Sequence, residues 1–286
     1  MRRFVVTGII LGIGLIALFV FYNKSKPVTP VLEKIEDVSP LHTVIGTSVE
    51  GRNIDAYKYG NGKNYLLIIG GIHGGYEWNS VVLAYKFLDY LNASSTVLSE
   101  NLTVTVIPSL NPDGVYKVIG KVGRFESTDV PSGVATALGR FNAHEVDLNR
   151  NFDCRWKPES MWRDKVVSAG TKPFSEPEAV ALRDFVLTNK PDAVVFWHSQ
   201  ANAVYASECG KGILPETLNL LDVYSRASGY SAVKSFDAYE TSGDSEGWLA
   251  SIGIPTISVE LKSHETVEWE QNLAGTKALI DMLGKK

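Results

Sequence analysis

Two histidines and a glutamate in this chain sit where an open sheet would present metal ligands. The apolar run Tyr65-Leu66-Leu67-Ile68-Ile69 leads through Gly70-Gly71-Ile72 into His73, with Glu77 four residues on, and Ala193-Val194-Val195-Phe196-Trp197 ends in His198. Strands that deliver polar residues at their carboxyl ends build the ligand crevice of an open α/β sheet. Imidazole and carboxylate suit zinc, and a His2Glu set leaves a coordination position free for chemistry. Two further groups are out of place in a plain core. Val146-Asp147-Leu148-Asn149-Arg150-Asn151 is rich in polar side chains, and its arginine has the fork geometry that grips a carboxylate. Glu260 ends the apolar run Thr256-Ile257-Ser258-Val259, where a carboxylate costs desolvation unless it is paired or functional. Beside a metal-activated water it would act as a general base. The plainer alternatives are a surface salt bridge for Arg150 and a buried ion pair for Glu260.

The elements that must carry these residues alternate in type. Strands are expected over 65–72, 102–107, 193–197 and 256–261. Helices are expected from Glu77 to Leu91, from the Ser175-Glu176-Pro177-Glu178 capping box to Val186, from Pro215 to Ala227, and over about 266–284. Asn111-Pro112-Asp113-Gly114 reads as a turn. The alternation implies an α/β fold, a mixed, largely parallel twisted sheet with helices on both faces.

The 286 residues suffice for one sizeable core, and a net charge of −4 without a basic run argues against nucleic acid as a partner. Arg2 and Arg3 precede an uncharged apolar stretch from Phe4 to Tyr22, long enough to span a bilayer with its positive end in the cytoplasm. Residues 1–25 are therefore expected to be an N-terminal membrane anchor, with a cleaved signal segment as the rival reading. Residues 26–41 would be a linker and 42–286 an extracytoplasmic catalytic domain, expected to be monomeric. The two cysteines, Cys154 and Cys209, follow segments assigned to the site, and outside the cytoplasm they are expected to bond, two buried thiols being the alternative.

Taken in order, these motifs resemble the M14 family of zinc metallocarboxypeptidases over about residues 42–284. The resemblance rests on Gly71-Ile72-His73…Glu77-Trp78, Asn111-Pro112-Asp113-Gly114, Val146 to Phe152, His198-Ser199, Tyr239 to Ser245 with Trp248, and Val259-Glu260-Leu261. It implies one zinc ion on His73, Glu77 and His198, and Glu260 as the base that moves a proton from water to the leaving amine. It implies an arginine that stabilises the oxyanion, Arg140 with Arg124 as the alternative. Asn149 and Arg150 would hold the substrate's free carboxylate and Tyr239 would close over it. Glu246, seven residues past Tyr239, would lie at the base of the side-chain pocket and favour a basic terminal residue, lysine, arginine or diaminopimelate. The substrate would be a peptide or a peptidoglycan stem. One departure stands out. The family spaces its first two ligands as His-x-x-Glu, whereas His73-Gly74-Gly75-Tyr76-Glu77 has one residue more. Two glycines could absorb it as a bulge; otherwise the chain would be an inactive peptide-binding relative.

Overall fold

The structure, a computed structural model, describes residues 40–93 and 97–285. Ten strands form within it: β1 Leu41–Thr47, β2 Asn53–Tyr59, β3 Asn64–Ile69, β4 Leu102–Ile107, β5 Glu159–Trp162, β6 Lys165–Ser168, β7 Ala193–Ser199, β8 Ala203–Ala206, β9 Ser231–Val233 and β10 Thr256–Leu261. The α-helices are α1 Trp78–Ala93, α2 Pro112–Ile119, α3 Pro177–Asn189, α4 Pro215–Ser228, α5 Ser245–Ser251 and α6 Trp269–Gly284. Eight strands make one sheet in the order β1-β2-β4-β3-β7-β10-β8-β9, and β5 and β6 form a separate hairpin. The central strands β4, β3, β7 and β10 are mutually parallel, while β1, β2 and β8 join antiparallel.

The central strands read as unbroken apolar runs because both of their faces are covered. Along β3, Leu66 and Ile68 enter one core while Leu67 and Ile69 enter the other. The first core receives α1, α4 and α6; the second receives Ala179, Leu182 and Val186 of α3 and Trp248 and Leu249 of α5. The period of two then places the chemistry. Val194 and Phe196 of β7 face the second core, so His198 points to that side; Ile257, Val259 and Leu261 of β10 face the first, so Ser258 and Glu260 point with His198. The parallel register sets Glu260 opposite His198. β3, β7 and β10 are neighbours, so His73, His198 and Glu260 all emerge at one carboxyl edge.

Several boundaries differ from expectation. β3 ends at Ile69, because Gly71, at φ +63°, turns the chain out of the sheet. Asn111-Pro112-Asp113-Gly114 is not a free turn: Asn111 caps α2 by accepting from the Gly114 N–H, and Pro112 takes the first helical position. The Ser175 capping box does not form. Ser175 Oγ donates to Glu176 Oε1 instead, and α3 starts at Pro177 with Glu176 at its cap. The anchor expected over 1–25, and all but the last residues of the linker, lie outside the described residues. Among the described residues, no helix is long and apolar enough to cross a membrane.

Candidate active site

The longer ligand spacing is absorbed locally. Gly74 to Glu77 form a single 3-10 turn that runs directly into α1. Gly74, at φ +49°, lies so close to the loop before Arg140 that a β-carbon there would meet the Gly139 carbonyl oxygen at 2.5 Å. The turn brings His73 Nδ1 to 2.8 Å from Glu77 Oε1. His198 Nδ1 arrives from β7, 3.0 Å from Glu77 Oε2 and 3.2 Å from His73 Nδ1. All three side chains are buried.

His198 Nε2 donates to Glu246 Oε1 at 2.8 Å and Nδ1 faces the cluster; burial opposes protonation of this imidazole, yet the Glu77 and Glu246 carboxylates hold its pKa well above the ordinary value. Burial, with Arg140 nearby, pushes the His73 imidazole down to about 4, which keeps it neutral. Burial opposes ionisation of Glu77, yet the two histidines hold its carboxyl well below the usual range. Atoms bound tetrahedrally to one zinc at about 2.0–2.1 Å would sit roughly 3.3 Å apart. The separations here are close to that, and the two imidazoles aim the same nitrogen inward. Among the described residues, this is the one group of three or more His, Cys, Asp or Glu side chains arranged to hold a metal.

Arg140 joins the ligands and Arg124 does not. Arg140 is buried, with Nη1 3.9 Å from Glu77 Oε1 and Nε donating to Asp147 Oδ2 at 2.8 Å. Arg124 is exposed and paired with Asp89. Asp147, for which the sequence suggested no separate role, is fully buried; its Oδ1 also lies 3.6 Å from His73 Nε2, which has no hydrogen-bond partner. One carboxylate thus braces the arginine and faces a ligand histidine. Its position two residues before Asn149 was the available signal.

A cavity opens beside the cluster, lined by Asn149, Arg150, Tyr239, Glu246, His198 and Glu260. Asn149 Oδ1 accepts from the backbone N–H of Ser245, which turns its NH2 away from that contact. Arg150 is 3% exposed, and its guanidinium donates only to the carbonyl oxygens of Met161 and Asn149. Among the described residues it has no carboxylate partner. Tyr239 stands against Phe236 at the wall, ring centroids 4.9 Å apart. Burial pushes the half-buried Glu260 carboxyl up to about 7, with Glu77 and Glu246 adding to the rise and His198 and Arg140 opposing it.

Glu246 makes contacts that its spacing from Tyr239 did not foretell. It lines the cavity, but its Oε1 accepts from His198 Nε2 and from Ser258 Oγ, and its Oε2 from Ser245 Oγ. Burial alone would raise its pKa, yet the His198 hydrogen bond holds it down to about 2. The carboxylate thus faces the His198 imidazole as well as the cavity. Three other charges line the cavity: half-buried Asp244 and Glu208, and exposed Arg155, which pairs with Glu208 at 3.3 Å. The disulfide Cys154–Cys209, with Cα atoms 5.8 Å apart, ties together the loops that carry Arg155 and Glu208.

A model of the family described as zinc carboxypeptidase matches residues 31–271. The chain belongs to this family. It is 26% identical over 257 residues to γ-D-glutamyl-L-diamino acid endopeptidase 1 of Lysinibacillus sphaericus, covering 81% of this chain and 63% of that protein. It is 28% identical over 277 residues to human carboxypeptidase O, covering 86% of this chain and 72% of that one. Murein-tripeptide amidase of Escherichia coli O157 shares the fold at a TM-score of 0.59 and 23% identity, over 85% of this chain and 92% of the other.

Proposed function

We propose that this member of the zinc carboxypeptidase family hydrolyses the C-terminal amide bond of peptides. The observation that carries this reading is Arg150: a buried cation without a carboxylate partner, lining the same cavity as His198 and Glu260. A buried charge left unpaired is costly, and a substrate carboxylate would supply its counter-ion. The Asn149 NH2 donates to that carboxylate and Tyr239 closes over it. The terminal residue is thereby registered so that its amide bond lies beside His73, Glu77 and His198. Zinc held by these three supplies a Lewis acid and lowers the pKa of water. Glu260 accepts a proton at its carboxylate and returns it to the leaving amine. Arg140 donates to the oxygen on which negative charge develops, the kind of contribution that is worth about 10²–10³ in rate when one donor is removed.

The finer reading concerns the residue released. Asp244, Glu208 and Arg155 place both signs of charge in the cavity, which supports a side chain ending in an ammonium or in an ammonium with a carboxylate. Lysine, arginine and diaminopimelate meet this description. A cell-wall stem peptide is the favoured natural source, a reading supported by the diamino acid in the name of the Lysinibacillus relative. Action outside the cytoplasm is part of the proposal and rests on the apolar stretch from Phe4 to Tyr22.

The test is release of the terminal residue from peptides ending in Lys, Arg, diaminopimelate, Phe and Glu, each as free acid and as C-terminal amide. Release is expected from the acids alone, lost with a chelator, and reduced about 10³-fold in Glu260→Gln with zinc still bound. In the wild type, kcat/KM should rise with pH as Glu260 ionises, with a midpoint at about 7 or below. Equal cleavage of acids and amides would overturn the carboxypeptidase reading. A preference for Phe or Glu would overturn the assignment of the pocket.

A further inference from the structure

Outside the Arg150 cavity, the ligand cluster is bordered by a second set of side chains that the reaction above does not use. Tyr76 is the residue just before the ligand Glu77, within the lengthened ligand spacing. Its ring packs edge-on against Trp162 of β5, centroids 5.1 Å apart, and against His264 at 4.4 Å. Three cations stand near the indole of Trp162: Arg140 at 4.8 Å, Lys165 at 5.7 Å and Arg163 at 5.9 Å from its centroid. None of Tyr76, Trp162, Arg163 and His264 lines the Arg150 cavity.

A directional chain of hydrogen bonds fixes Arg163. Asn79 donates its NH2 to the carbonyls of Ser263 and Thr266, so its Oδ1 is the acceptor for the Ser199 hydroxyl at 3.0 Å. Ser199 has then spent its proton and accepts from His264 Nδ1 at 2.7 Å. His264 Nε2 is left as an acceptor, and the Tyr76 hydroxyl donates to it at 3.1 Å. The Tyr76 oxygen therefore accepts from Arg163 Nη2 at 3.1 Å. Each group donates in one direction only, and the chain ends on a cation. Arg163 is exposed, sits at φ +57° in the two-residue turn between β5 and β6, and makes no ion pair among the described residues. Glycine fits such a backbone without strain; arginine there holds a charge-bearing fork at the rim, beside the arginine that faces the ligands.

We propose that Arg163 binds a carboxylate on the residue preceding the scissile bond. This rests on the reading above, in which the terminal residue fills the Arg150 cavity and the acyl part extends outside it. Glutamate supplies such a group in either linkage. Whether joined through its α- or its γ-carbonyl, its second carboxylate lies the same number of carbons from the scissile carbon. Only the position of the amine differs.

The test is equilibrium binding to the full chain, zinc-loaded and carrying Glu260→Gln. Four peptides ending in Lys are compared, in which the preceding residue is α-linked Glu, α-linked Gln, γ-linked D-Glu, or γ-linked D-Glu with its α-carboxylate converted to the amide. An acid is expected to bind about 5-fold to 10-fold more tightly than its amide partner in at least one pair, and less so at high salt. The pair that shows the preference names the linkage. Adding Arg163→Gln should bring the acid to the affinity of its amide, and Arg163→Lys should restore part of the difference. Equal binding of acid and amide in both pairs, a preference that survives Arg163→Gln, or no binding by any peptide overturns the proposal. The same peptides with a blocked C-terminus keep the two readings apart. If they bind as well as the free acids, the role of Arg150 falls while the acid–amide comparison still judges Arg163.

Discussion

At the scale of single residues, the site is built from carboxylates that each serve a neighbour. Asp147 braces Arg140 and faces His73, and Glu246 accepts from His198. A carboxylate behind a ligand imidazole fixes its tautomer and raises its basicity. Glu246→Gln is therefore expected to weaken zinc binding about 10-fold to 100-fold, read by competition with a chromogenic chelator, with the thermal midpoint of the metal-free protein little changed. An unaltered zinc affinity accompanied by a changed preference for the terminal residue would return Glu246 to the pocket role that its spacing from Tyr239 suggested. The ligands, Glu260 and Arg150 were legible in the sequence because each is a polar residue set in or just after an apolar run or inside a dense polar motif. Asp147 was hidden because one acid among many polar neighbours has no signature until its partners are known. Arg163 was hidden because its partner Tyr76 is distant in sequence.

At the scale of elements, the ligand turn depends on close approach of backbones. Gly74 and Gly75 pack against Gly114 of α2 and Gly139 of the loop before Arg140. With a β-carbon at Gly74 only 2.5 Å from a carbonyl oxygen, and φ positive there, Gly74→Ala must displace either the ligand turn or the Arg140 loop. Misplacement of catalytic groups by about an ångström costs on the order of 100-fold. The variant is expected to lose at least that in kcat/KM and to melt earlier. Activity within about 3-fold of wild type would mean that the turn tolerates what its packing forbids. The parallel strands were visible as apolar runs. The outer strands β1, β2, β8 and β9 and the β5–β6 hairpin were not, since they are short or partly exposed and their pairing comes from contacts remote in the pattern of apolar runs.

At the scale of the whole molecule, one disulfide joins residues 55 apart, each next to a residue that lines the cavity. Closing a loop of that size restricts the unfolded chain and is worth about 2–4 kcal/mol. Replacing both cysteines by alanine should lower stability by about that amount in urea, and should raise KM for charged terminal residues more than it lowers kcat, since Arg155 and Glu208 sit on the released loops. A stable variant with unchanged KM would make the bond incidental to the cavity.

The sequence by itself determined the family, the α/β class and the candidate ligand set, because these depend on local patterns: apolar runs, their polar ends, and short motifs in a set order. Tertiary structure alone decided three matters. It showed that five residues from His73 to Glu77 close on one point, because the neighbouring glycines leave room for the turn. It assigned the Glu246 carboxylate to His198, because helix α5 packs its first turn against the end of β7. It separated Arg140 from Arg124, because only a buried partner, Asp147, draws an arginine to the ligands. Each turns on which charge is buried beside which, a distance that no spacing along the chain encodes.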